Sequence, residues 1–385
     1  PRSLLAQEVT IQIAGSESAE TVSDLRGWID ANYQIPSTEA ISRSLDYPML
    51  GGDTSRNETA DGQLPLSTPR WMLETAATPR EEQMLRQKTD EMAASGRLVP
   101  PSWTPIRVGD QLLMRTTERL RGVDYRTGKR VWQYPWFQSD DSLESEQLSS
   151  IPGQGPRSPT DRLKRIVWND LPYGQITSDG KRVFLLDDLS PFQILQFNAM
   201  LGVRNVNAAD GGRNTLVALE LETEGKTLWR LGQNPTLESE LNEAFFLGAP
   251  IAVDGSLYVM VELAGDILLV CLDPSTGELR WQQQLVAIEG AGIQFDPIRR
   301  IAGATPSYHE GVLICPTGAG ATVAVDLVDR MLRWGKSYPR RAISGNLMGF
   351  SQNQPNSDAL LQRWHNSAAI ASGTDVVVTP VSTDN

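Results

Sequence analysis

From residue 104 onward, apolar and polar positions alternate with a period of two, in short runs broken by glycine-containing turns. This is the pattern of β-strands, whose successive side chains point to opposite faces of a sheet. The runs recur in a fixed order. One phrase joins an apolar run to an acid, a turn and a tryptophan: LRGVDYRTGKRVW ends at Trp132, LVALELETEGKTLW at Trp229, LLVCLDPSTGELRW at Trp281 and TVAVDLVDRMLRW at Trp334. Upstream of each lies a looser phrase of two apolar runs around a turn, at 104–114, 174–186, 248–260 and 303–315. A fifth upstream phrase, NSAAIASGTDVVVTP, occupies 366–380 without a tryptophan partner.

Each pair of phrases spells four short strands, so each unit is expected to fold as one four-stranded antiparallel sheet. The near-continuous apolar runs ask for burial on both faces. Repeats of this kind point to an all-β fold, a β-propeller of four-stranded blades with four blades and part of a fifth in view. Within the phrase, Asp124, Glu220, Asp273 and Asp326 are expected to accept from turn N–H groups, and Gly128, Gly225 and Gly277 to take the left-handed turn position. The last copy lacks that glycine, so Asp329 or Arg330 takes its place. Trp132, Trp229, Trp281 and Trp334 are expected to end the outgoing strand and dock on the neighbouring blade. Cys271 stands where the other copies have Gly122, Ala218 and Ala324, which makes it a small strand residue. An acid present in every copy is no unique catalytic group.

The flanking chain divides into a partly helical lead-in over 1–48, an opening segment of the propeller over 49–100, and blades over 101–385 with inserts at about 139–165 and 190–212. Thr78-Pro79-Arg80-Glu81 is a capping-box signature that starts a helix over 78–95. Weaker helical patterns occupy 20–31 and 37–46.

Composition removes several function classes. The 385 residues carry a net charge of −12 with no basic stripe, which disfavours nucleic acid and anionic membranes as partners. No apolar run approaches the roughly 20 residues of a transmembrane helix. Cys271 and Cys315 both sit in apolar runs and read as buried free thiols. The two histidines, His309 and His365, read as strand residues, not as a metal site. Gly318-Ala319-Gly320 lacks the third glycine of a dinucleotide fingerprint, since Val323 stands there and a strand follows, so these glycines read as a strand turn. The aromatic clusters Tyr134-Pro135-Trp136-Phe137 and Trp364-His365 could line a surface but adjoin phrases that already pack blades. The opening PRSLLAQ fits the tail of an export signal cut near Ala6, although Leu4 is a poor fit to such a site.

The two phrases together resemble the pyrroloquinoline-quinone (PQQ)-type β-propeller repeat, shared by quinoprotein dehydrogenases and by the periplasmic outer-membrane assembly-factor lipoproteins. MLGGDTSRNETADG at 49–62, followed by Pro69-Arg70-Trp71, is similar to the segment that opens such propellers in large secreted planctomycete-type proteins. The resemblance implies a non-enzymatic, exported protein of the periplasm or cell envelope that acts as an interaction or scaffold module without a cofactor. It implies a ring of seven or eight blades, and protein partners, among them further blades or a second chain that closes the ring. The alternative is a partial or degenerate quinoprotein-type oxidoreductase. In those enzymes adjacent cysteines, a stacking tryptophan, a calcium site and a catalytic aspartate hold the quinone, and this sequence has no adjacent cysteines.

Overall fold

The structure, a computed structural model, describes residues 9–12, 19–22, 46–58, 68–76, 78–94, 103–117, 119–135, 167–168, 170–187, 213–233, 235–288, 292–293, 296–339 and 368–379. The chain makes two compact units: Pro1–Leu45 with Ala60–Thr68, and Asp46–Thr59 with Pro69–Asn385. In the first, β1 (Val9–Gln12) and β2 (Ala19–Val22) pair as an antiparallel hairpin. The helix expected over 20–31 is therefore corrected at its start, because residues 20–22 pair in β2. The one expected over 37–46 lies almost wholly outside the described residues.

In the second unit α1 (Pro79–Ala94) starts where the capping box places it, with the Glu81 N–H donating to Thr78 Oγ1 at 3.2 Å. The sheets follow in chain order. The first is β3 (Ile106–Val108), β4 (Gln111–Arg115), β5 (Leu120–Asp124) and β6 (Arg130–Tyr134). The second is β7 (Thr177–Ser178), β8 (Arg182–Asp187), β9 (Thr215–Glu220) and β10 (Lys226–Gly232), preceded by the single-turn helix α2 (Leu171–Gly174). In the third, the first position is split between β11 (Phe245–Phe246) and β12 (Ile251–Val253), both paired to β13 (Ser256–Leu263), with β14 (Asp266–Leu272) and β15 (Leu279–Ala287) outside. After α3 (Pro297–Ala302) the fourth is β16 (Ser307–His309), β17 (Val312–Pro316), β18 (Ala321–Asp326) and β19 (Met331–Ser337). β20 (Ile370–Ser372) and β21 (Asp375–Val377) open a fifth.

Each sheet is an antiparallel meander, and each hydrophobic core is shared by two successive sheets. Ile106, Leu113 and Trp132 pack with Val183, Leu185 and Val217, and Phe184, Leu216 and Trp229 with Leu257, Val259 and Val270. Tyr258, Leu269 and Cys271 pack with Leu313, Cys315 and Val325, and Ile314 with Ala369 and Ala371. Four-stranded antiparallel sheets stacked face to face in chain order, with their cores between them, are propeller blades. The first strand of each blade is its inner edge, and β7 lies beside β12 and β16 beside β20.

Candidate functional site

The repeated tryptophans define the joints between blades. In every complete blade the tryptophan is paired across the last two strands with the smallest residue of the third: Trp132 with Gly122, Trp229 with Ala218, Trp281 with Cys271 and Trp334 with Ala324. The expectation that the ring ends its strand needs correction. It sits inside the last strand, just after a β-bulge in which the preceding residue, Val131, Leu228, Arg280 or Arg333, is skipped in the cross-strand register. A bulge twists the strand locally. Here it turns the ring toward the next blade's turn.

Trp132 lies on the turn of the second blade, where a Cβ on Gly225 would stand 2.4 Å from the indole, so only glycine fits. Trp229 lies on the Gly277 turn of the third blade and donates from Nε1 to Pro274 O at 3.1 Å. Trp281 meets Arg330, whose guanidinium lies 5.7 Å from the ring centroid. Of the two residues open at that turn, Arg330 takes the left-handed conformation, with φ 57°. The series also extends backward. Trp71 lies against the Gly128 turn of the first blade and donates to Tyr125 O at 2.9 Å. Sequence reasoning missed it as a docking residue, because no acid-turn phrase precedes it.

Trp334 stands apart. It is 40% exposed, and Val328, Met331 and Leu332 beside it are exposed as well. The outer strand of the fourth blade thus presents an apolar face to solvent. Three of the turn acids accept from turn N–H groups: Asp124 from Thr127 at 2.7 Å, Asp273 from Ser275 and Thr276, and Asp326 from Val328 and Asp329, whereas Glu220 accepts from the Thr223 hydroxyl instead. These bonds, the one from the Ser275 hydroxyl foremost, hold the Asp273 carboxyl well below the usual carboxylate range.

The inner edges of the blades carry the feature that sequence reasoning did not find. Residues 46–58 cross them one after another. Tyr47 and Arg107 of β3 exchange two backbone bonds of 2.8 and 3.0 Å, and Asp46 Oδ1 accepts from the Gly109 N–H at 2.7 Å. Ser178 of β7 donates to Pro48 O at 2.9 Å, and Met49 is buried among Ile251, Val253 and Leu313. Tyr308 of β16 donates to Thr54 O at 2.7 Å and Ala371 of β20 to Ser55 O at 3.2 Å. Asn57 Nδ2 returns a bond to Ala371 O at 3.3 Å. The crossing is compact because the chain turns twice. A Cβ on Gly51 would stand 2.7 Å from Arg56 Cα, and φ there is 85°. Arg56, almost fully buried, braces the turns by donating to Leu50 O at 2.8 Å and to Pro306 O at 3.5 Å.

Where the blades' second strands end, buried charges are paired. Arg115 binds Asp187 and lies 4.1 Å over the Tyr173 ring, and Arg299 binds Glu262, which also accepts from the Ile293 N–H at 2.6 Å. A neighbouring phenol, Tyr134, bonded by Arg230, is pushed up to about 12 by burial. Among the described residues no group of three or more potential metal ligands gathers. His309 bridges the fourth and fifth blades through Nε2 to Gly373 O at 2.8 Å. Both cysteines are buried and free, on the separate strands β14 and β17, and burial raises their thiols' pKa values. Of the aromatic clusters, Tyr134 is buried, while Trp136, Phe137, Trp364 and His365 lie outside the described residues.

A family model, that of the outer membrane protein assembly factor BamB, matches residues 212–377. This segment carries PQQ-like repeats. No curated protein matches the chain. Solved structures that resemble it include the quinohemoprotein alcohol dehydrogenase of Comamonas testosteroni (14% identity, 76% of this chain and 41% of that one, TM-score 0.38). They include BamB of Moraxella catarrhalis (14% identity, 61% and 63%, TM-score 0.26) and the quinohemoprotein alcohol dehydrogenase ADHIIG of Pseudomonas putida HK5 (15% identity, 61% and 33%, TM-score 0.34). The chain spans 33% to 63% of these proteins' own length. The match runs from just before β9 in the second sheet to β21, and the first two sheets have the same tryptophan pairing and bulge as the later ones.

Proposed function

We propose that the protein is a non-catalytic PQQ-like β-propeller of the cell envelope, exported, and acting as a protein-interaction or scaffold module. One observation carries the reading: the inner edges of four blades, which in a cofactor-binding propeller face the ligand, are bonded to the chain's own residues 46–58. The donor set does not fit a quinone site of the dehydrogenase kind either. The only cysteines are Cys271 and Cys315, on two different strands, and the half-buried Asp187 and buried Glu262 carboxylates are each engaged by an arginine.

The apolar face around Trp334 supports the partner half of the proposal. Each preceding tryptophan rests on the turn of the next blade, so this face suits further blades or a second chain that closes the ring. Two measurements test the reading together. Affinity capture from an envelope extract is expected to retain a polypeptide that is lost with Trp334→Glu, and the purified protein is expected to show no quinone absorbance. A stoichiometric bound quinone would overturn it in favour of a quinoprotein oxidoreductase.

A further inference from the structure

We infer that residues 46–58 are an axial tie, a device that couples blades far apart in sequence into one opening unit. Its bonds reach four different blades, at Arg107, Ser178, Tyr308 and Ala371, and its apolar side chain Met49 enters the core of the third and fourth. Among the described residues no strand makes such a set of contacts: each sheet pairs only within itself, the shared cores join successive sheets, and one other link across a blade is between the second and fourth, where α2 meets α3 and Thr305 donates to Gln175 Oε1 at 3.2 Å. Without the tie, the described contacts join the first and fifth blades only by way of the blades between them. In stacked repeats of that kind stability is a sum of neighbouring interfaces, and an end repeat opens without the others. With the tie, releasing the fifth blade breaks the Ser55 and Asn57 bonds of a segment that is also held at Tyr47 by the first.

The segment is built to transmit this. Its two halves are locked to each other by Glu58 N–H to Gly51 O at 3.1 Å, by Gly51 N–H to Tyr47 Oη at 3.1 Å and by the Arg56 guanidinium on Leu50 O. The same guanidinium reaches Pro306 of the fourth blade. A pull at one end therefore cannot be absorbed by slack in the middle. The inference concerns the blades alone and holds whatever partner the outer face takes.

Native-state hydrogen exchange on the whole, unmodified chain tests it, followed by NMR or by mass spectrometry at single-amide resolution. The amides of Tyr47, Arg107, Ser178, Tyr308 and Ala371 are expected to share one opening, with exchange rates within about threefold of one another and one common dependence on denaturant. Rates spread over about a hundredfold, each following its own blade, would overturn the inference. Arg56→Met provides the perturbation: all five amides are expected to exchange about tenfold faster together, while Val259 and Val270, in the centre of the third sheet, are unchanged. Acceleration at Tyr308 and Ala371 alone, with Tyr47, Arg107 and Ser178 unmoved, would also overturn it. If the variant does not fold, the shared opening in the unmodified chain decides.

Discussion

Truncating Trp229 and Trp334 to alanine removes the same side chain from the same place in two copies of one repeat, yet the structure assigns the two changes different costs. Trp229 is 3% exposed, touches Phe184 with ring centroids 6.1 Å apart, covers the Gly277 turn and bonds Pro274 O. Emptying such a site costs about 3–5 kcal/mol, and the lost hydrogen bond adds up to about 1 kcal/mol. Trp334 is 40% exposed and no next turn lies under it among the described residues, so its removal should cost under about 1 kcal/mol. Urea unfolding of the full chain, followed by far-ultraviolet circular dichroism, reads the difference. With a slope of about 2–3 kcal/mol/M, Trp229→Ala should lower the midpoint by roughly 1–3 M and Trp334→Ala by less than about 0.5 M. Equal shifts, or a larger one for Trp334→Ala, would refute the docking argument.

Three further outcomes follow from the same geometry. Gly225→Val, which drives a side chain into the Trp132 ring and onto a left-handed backbone at φ 80°, should destabilise by about 2–4 kcal/mol, read as a loss of urea midpoint; a neutral result would mean the ring does not rest on that turn. The Asp273 carboxyl is held below its unfolded value of 3.8, so the stability it contributes is present above that pH and is lost as the pH falls below it. Asp273→Asn should therefore unfold less steeply with acid between about pH 4 and 2, and an unchanged acid profile would count against the turn bonds. Cys271 and Cys315 should resist a thiol reagent in the native chain and react as two equivalents in denaturant, whereas rapid native labelling of either would contradict their burial.

Much of the fold was legible because the repeat states it several times over. The small residue opposite each tryptophan, visible as Gly122, Ala218, Cys271 and Ala324, turned out to be its cross-strand partner, and helix α1 was announced by Thr78 and Pro79. The bulge before each tryptophan was not legible, since an extra residue in a strand leaves no mark on composition. The axial segment escaped for a different reason. Its bonds are mainly between backbone groups and join residues such as Ser55 and Ala371, so nothing in either side chain announces the partner. Only the pair Gly51-Gly52 and the buried Arg56 gave a local signal, and that signal indicates a tight turn without saying where the turn lies. Arg330 could have been chosen over Asp329 at the fourth turn only by knowing that a tryptophan face lay above it.

The central claim, that the axis belongs to the chain itself and not to a cofactor, is tested most directly by equilibrium titration of the purified protein with pyrroloquinoline quinone in the presence of calcium, followed by calorimetry. The account predicts no saturable binding and no change in the exchange of the Arg107 and Ala371 amides. Binding at one equivalent, with those amides released from residues 46–58, would contradict it.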